Sequence, residues 1–175
     1  MSEETPGESP GENPGMAAEA ENTAPPIVIN AQYTKDLSFE SPTAPGIFSL
    51  MQQSQPDMTV NVNVTTAEFD KNLHEVVLDL SAHCKVGEDV AFIIELEYAG
   101  LFTLNVDEEV KGAVLFVECP RLLFPFARNI LAEVSRDGGF PPVMLGPVDF
   151  AHLYHQELAK HGAGAQAPAT DGSPG

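Results

Sequence analysis

The sequence predicts an α+β fold, a four-stranded antiparallel sheet (meander) followed by a long helix and a shorter C-terminal helix. Three observations carry that prediction. Apolar and polar side chains alternate with period two through most of residues 27–104, the repeat of strands with one buried face. From Val106 onward the apolar positions recur at intervals of three and four, the repeat of a helix. Glycine and proline fall between these runs rather than within the strands, as turn residues should.

The first strand runs from Ile27 to Glu40. Simple alternation puts Ile27, Ile29, Ala31, Tyr33, Leu37 and Phe39 on one face, interrupted only by Lys35, with Asp36, Ser38 and Glu40 on the other. SPTAPG ends the strand, and the loop to Pro56 carries Ile47, Phe48, Leu50 and Met51, too apolar to be left in water. Thr59–Thr65 alternates strictly, with Val60, Val62 and Val64 inward. A third strand covers about Leu73–Lys85, and VGED turns the chain into a fourth, Val90–Tyr98, with Phe92, Ile94, Leu96 and Tyr98 sharing a face. Gly100 marks a bulge or bend before Leu101–Leu104. Short connections make these four an antiparallel meander.

Helical spacing then links Val106, Val110, Ala113, Val114 and Val117. Pro120 suits the first position of a new helix, where its missing N–H costs nothing. Leu122, Leu123, Phe126, Ile130, Leu131 and Val134 continue a wide apolar stripe, Pro125 kinks it, and Asp137-Gly138-Gly139 stops it. Asp149 is placed to cap a last helix from Phe150 to about His161.

Composition narrows the function. The chain has 175 residues, 43% of them hydrophobic, enough for one compact domain. Residues 1–26 hold six Glu and no Lys or Arg, and residues 162–175 are mostly small residues and Pro. Both are expected to be disordered tails around a single domain at 27–161. Six of the 26 acidic residues lie in the first tail and one in the second, so the core sets 19 acids against all 8 bases. Such a surface repels nucleic acid and anionic membranes and attracts basic partners. The N-terminal stretch has no apolar segment of the signal-peptide kind, and no apolar run approaches the roughly 18 residues that span a bilayer. Cys84 and Cys119 form no C-x-x-C pair. The expectation is a reduced, cytoplasmic protein with two buried free thiols.

No Walker loop, G-x-G-x-x-G, G-x-S-x-G or H-E-x-x-H is present. His152 and His155 stand at i, i+3 on the last helix with His161 beyond, but no Cys or carboxylate completes a ligand set, so neither metal nor cofactor is expected. Two constellations remain. Asp36, Ser38 and Glu40 share the outer parity of their strand, as Ile93, Glu95 and Glu97 do of theirs. On pattern alone these read first as solvated surface acids. Phe48 and Met51 in the loop, Met58, Val60 and Val62 beside it, and Phe150, Leu153 and Tyr154 in the last helix are placed to line a groove, although taken singly each reads first as ordinary core.

Two segments are specific enough to carry a family resemblance. Tyr33–Pro45, YTKDLSFESPTAP, and Cys119–Tyr154, CPRLLFPFARNILAEVSRDGGFPPVMLGPVDFAHLY, resemble SecB, the cytosolic export chaperone of Gram-negative bacteria, over most of residues 27–158. The resemblance implies a holdase that works without ATP, keeps unfolded preproteins translocation-competent and passes them to the SecA motor. It implies that Asp36, Glu40, Ile93 and Glu95 dock the basic, zinc-bearing end of SecA. It implies client grooves among the apolar residues just named, where Met adapts to varied side chains. It also implies a homotetramer, a dimer of dimers, with Ile94, Leu96 and Tyr98 at positions that influence assembly. The chain departs from the family pattern in its loop Gln52–Pro56, which is slightly longer and lacks the usual aromatic, and in having no Trp.

Two rival readings stay open at this stage. SecB-like chaperones also serve toxin–antitoxin pairs, where the client is a single antitoxin tail and no SecA-docking face is needed. A small enzyme with an acidic cleft is the rival from another class, and the want of a recognisable nucleophile–base pairing speaks against it.

Overall fold

A computed structural model describes residues 24–163, with side chains placed through Lys160. The expected disorder of residues 1–26 and 162–175 falls almost wholly outside the described residues. The Asn105 side chain donates to the Pro25 carbonyl at 2.9 Å and its backbone N–H to that of Pro26 at 2.9 Å, and the last helix continues to Ala163.

The elements are β1 (Ile27–Glu40), α1 (Ile47–Met51), β2 (Asp57–Asp70), β3 (Leu73–Val86), β4 (Asp89–Leu104), α2 (Glu108–Ala113), α3 (Cys119–Asp137) and α4 (Phe150–Ala163). All four strands pair antiparallel, but their order is β1-β4-β3-β2. Only β2, β3 and β4 form the meander. β1 crosses over through residues 41–56 to lie beside β4, the strand order of a Greek key read from its C-terminal end. The crossover is pinned by the Ser41 and Thr43 hydroxyls, which donate to the Ala91 and Val90 carbonyls at 2.8 and 2.6 Å. It carries α1, whose Ile47 is fully buried.

The pleat separates two unlike faces. Val76, Leu78, Leu80, Ala82 and Cys84 of β3 and Phe92, Ile94, Leu96, Tyr98, Phe102 and Leu104 of β4 point to the helix side and form most of the core. The alternation of β2, β3 and β4 was therefore legible as it stood. That of β1 was not. Register shifts between Ile29 and Ala31 and between Thr34 and Asp36 insert an extra residue twice, and each reverses the parity. Ala31 and Tyr33 consequently lie on the outer face, while Leu37 and Phe39 return to the helix side opposite Leu96 and Ile94.

Gly100, expected to mark a bulge, sits in regular pairing with Val76 and Gln32. It is glycine because α3 comes close. A Cβ there would lie 2.6 Å from the Phe102 ring and 2.8 Å from Leu123 Cδ2. Pro120 likewise does not start a separate helix. The backbone is helical without a break from Glu108 to Asp137, and a π-helical turn, Val114–Glu118, joins α2 to α3 immediately before the proline. The wider turn loosens the backbone where a proline would otherwise crowd the preceding carbonyl. α3 buries Cys119, Leu123, Phe124, Ala127, Leu131 and Ser135 and lies across β3 and β4. It ends as the sequence suggested, with Gly139 in a left-handed conformation (φ 87°).

Beyond α3 the segment 140–148 has no regular structure, yet it is tied down. Ser135, fully buried, donates to the Leu131 carbonyl at 2.9 Å and accepts from the Val143 N–H at 2.9 Å. Phe140 packs among Phe39, Phe48 and Phe92 at centroid distances of 4.8–6.2 Å. Asp149 then caps α4, its carboxylate accepting from the His152 N–H at 3.0 Å.

Gly100→Ala should lower stability by about 1–3 kcal/mol through overpacking, read as an earlier midpoint in urea. Ser135→Ala strands the buried Val143 N–H, and should cost about 1–3 kcal/mol. Hydrogen exchange at Val143 should accelerate in that variant. An unchanged exchange rate would mean that the hydroxyl does not hold the segment.

Candidate functional site

Two surfaces stand out, one on each side of the sheet. On the outer face the register sets Asp36 of β1 opposite Glu97 of β4, and Glu97 opposite Asp79 of β3. One row of the sheet thus carries three neighbouring carboxylates. In the adjoining rows Glu95 lies between Ser38 and Ser81, and Ile93 lies between Glu40 and His83. Like charges directly opposite oppose pairing, so the row costs stability that the core beneath must offset. A shallow hollow of about 300 Å³ opens over it, lined in part by Asp36, Asn63, Asp79, Glu95 and Glu97. Burial, helped by the neighbouring Glu97 charge, pushes the Asp79 carboxyl above its ordinary range. The two parity reversals in β1 cancel by Asp36, so Asp36 and Glu40 remain on the same side as Ile93 and Glu95.

The row receives little neutralisation from the base nearest to it in sequence. Lys35 reaches over β4 to Glu75 at 2.8 Å, and the Tyr33 hydroxyl donates to the other carboxylate oxygen of the same side chain. Glu75 is almost fully buried, and these two hydrogen bonds, from Lys35 and then Tyr33, hold its carboxyl below the usual carboxylate range. The buried Ala99 of β4 and Val77 of β3 lie opposite one another in that part of the face, Ala99 also facing Tyr33.

The helix side carries apolar hollows end to end along β2, an edge strand of the sheet. One, of about 240 Å³, is bounded by Met51, Met58, Val60, Cys84 and the segment Pro141–Leu145. The other, of about 290 Å³, lies among Val62, Val64, Phe116, Leu153, Tyr154 and Leu158. Met58, Val60, Val62 and Val64 follow one another on the same face of β2, about 20 Å of strand at the usual rise. The Tyr154 ring is stacked on Phe116 at 5.6 Å, which ties α4 to the π turn.

The expected groove residues therefore divide. Met51, Met58 and Val60 line the first hollow and Val62, Leu153 and Tyr154 the second. Phe150 is 1% exposed and meets Phe124 edge-on at 5.8 Å, so it is core. Phe48 lines neither hollow and covers the Phe140 ring at 5.1 Å. Ile94, Leu96 and Tyr98 also differ from a contact surface. They are 0%, 2% and 8% exposed on the helix side, so they reach a partner only through what packs on them. Tyr98 stacks at 6.4 Å against Phe126, which is 52% exposed. Asp79, Phe116 and the 141–145 segment were absent from the expected sites. The even spacing of Asp79 from Glu75 and Val77, opposite in parity to the apolar run of β3, was the one signal that could have found it.

Both thiols are free and buried. Burial pushes Cys119 up to about 12, aided by Glu118, and raises Cys84 as well. Among the described residues no cluster of three or more His, Cys, Asp or Glu could hold a metal ion. His152 contacts Gln156 at 2.7 Å, and the side chain of His161 lies outside the described residues. No helix among them is long and apolar enough to cross a membrane.

The family model described as preprotein translocase subunit SecB matches residues 20–161. The chain is 49% identical over 139 residues to the protein-export protein SecB of Paramagnetospirillum magneticum, covering 79% of this chain and 90% of that one. It is 47% identical over 147 residues to the Rhodopseudomonas palustris protein of the same name, and 48% over 159 residues to that of Maricaulis maris, covering 93% and 91% of those chains. Among solved structures, a SecB-like chaperone of Mycobacterium tuberculosis in complex with a peptide from the HigA1 antitoxin superposes with a TM-score of 0.59. At 14% identity over 70% of this chain and 90% of that one, the likeness is one of fold. A strand-helix architecture shared with that chaperone, and near-half identity along almost the full length of the export proteins, place this chain in the SecB family.

Proposed function

We propose that the chain is an ATP-independent holdase of the cytoplasm that binds unfolded preproteins, keeps them translocation-competent and delivers them to SecA. The identity to the curated protein-export proteins carries this reading, and the two unlike surfaces give it a physical basis. Unfolded chains expose apolar side chains at irregular spacing. Hollows strung along about 20 Å of β2 would take several such side chains weakly and without a fixed motif. No nucleotide or catalytic step is required, because affinity for the unfolded state alone withholds a client from folding.

The acidic outer face is the SecA-docking surface in this reading. Asp36, Glu40 and Glu95 supply charge around the apolar Ile93, a pattern that suits a basic segment and speeds its encounter. Asp79 and Glu97 extend the same field. Homotetramer formation, as a dimer of dimers, fits the apolar side chains left uncovered at one side of the subunit. Leu122 and Phe126 of α3 are 40% and 52% exposed, and Ile29 and Leu37 of β1 are 41% each. Ile94, Leu96 and Tyr98 would set that surface from below.

Exchanging Asp36→Lys and Glu40→Lys together should weaken SecA binding at least tenfold in titration calorimetry, leaving retardation of client folding intact. Undiminished binding sinks the docking assignment. Phe126→Asp should lower the mass measured by light scattering at micromolar protein without changing the circular dichroism spectrum. A mass unaltered by that charge would remove α3 from the assembly surface.

A further inference from the structure

All the methionines among the described residues, Met51, Met58 and Met144, line the same hollow. They come from α1, β2 and the 141–145 segment, so the tertiary fold brings Met144 to a pair distant from it in the sequence. Cys84 lies in the wall directly opposite Met58 and is 1% exposed. The methionines are more exposed by contrast: Met144 is 74% exposed and Met58 40%, while Met51 is half-buried. The neighbouring hollow along β2 contains no sulfur.

We propose that this hollow is a peroxide-responsive methionine site, in which oxidation of Met144 and Met58, and then Met51, lowers affinity for apolar client segments. The proposal rests on the reading of the hollow as part of a client groove. Each thioether sulfur takes one oxygen atom from a peroxide. The S–O bond forms as the O–O bond breaks, sulfur loses two electrons, and the peroxide leaves as water or alcohol. The product sulfoxide is a strong acceptor in a wall of Val60, Val143 and Leu145. Such an oxygen must stay hydrated, since an unpartnered polar group is costly to bury. An apolar side chain entering the hollow would have to strip that water. Cys84 does not compete for the oxidant: its burial keeps it a protonated thiol, and the thiolate is the reactive form. Sulfoxides are returned to thioethers by the two stereospecific methionine sulfoxide reductases, so the change is reversible.

The test uses the full chain and an unfolded, carboxymethylated polypeptide as probe. Peroxide treatment should add one oxygen to Met144 first and Met58 next, by peptide mass mapping, and weaken probe binding several-fold with an unchanged circular dichroism spectrum. Reductase treatment should restore it. In the Met51→Leu, Met58→Leu, Met144→Leu variant, whatever affinity the protein begins with should not move on peroxide treatment. Full oxidation at these three positions without loss of affinity overturns the proposal. An equal loss in the leucine variant does so too, as does loss accompanied by unfolding. Failure of the unoxidised protein to bind the probe at all overturns the holdase reading itself, and is thereby told apart from failure of the switch.

Discussion

The close packing of α3 across β3 and β4 is the constraint on which the rest of the molecule depends. Gly100 lets Leu123 approach the sheet, and Ala127 and Leu131 continue the contact along a helix that is fully buried on that side. This contact makes the two faces of the sheet chemically different. One is dry and apolar because a helix covers it, and the other must be satisfied by water and by its own side chains. The π-helical turn before Pro120 belongs to the same arrangement. It lets the chain stay helical through Pro120 and so continue across the sheet.

The outer face shows how a surface that disfavours folding is tolerated. Asp36, Glu97 and Asp79 oppose one another across three strands, which weakens cross-strand pairing. The strands hold because their other faces contribute Phe92, Ile94, Leu96, Leu78 and Leu80 to the core. Lys35, which could have relieved the repulsion, is held by Glu75. The Lys35 charge acts on Glu97 and Asp79 only from a distance. The Tyr33–Glu75–Lys35 group also staples β1 to β3 across β4, fixing the strand that carries Asp36 and Glu40.

The opposite face relies on segments without regular structure. The crossover with α1 and the 140–148 segment meet around Phe140, and Ser135 anchors the second of them from inside α3. Their backbone is held while Met144 and Leu145 project toward β2. On the proposed reading, a rigid wall on the sheet side and adaptable side chains on the loop side would suit clients of varied shape.

The four strands, the long and last helices, the inward faces of β2, β3 and β4, the end of α3 at Gly138-Gly139 and the cap at Asp149 were legible in the chain, whereas α1 read as a loop. Each of these is decided within a few residues, by a two- or 3.6-residue repeat or by the conformational freedom of one glycine. The family was legible for a related reason, since Tyr33–Pro45 and Cys119–Tyr154 are contiguous. The pairing of β1 with β4 is set by the fold, because strand order depends on which edge the crossover reaches and local alternation does not encode it. The two parity reversals in β1 were likewise hidden, since a bulge is a mismatch between two strands and belongs to neither alone. The same holds for the sites. Asp36, Glu40, Ile93 and Glu95 could be placed together by parity, but Asp79 entered through register. That Phe150 is core, and that Ile94, Leu96 and Tyr98 are buried on the helix side, was not legible, because an apolar repeat shows that a side chain is buried without showing what buries it.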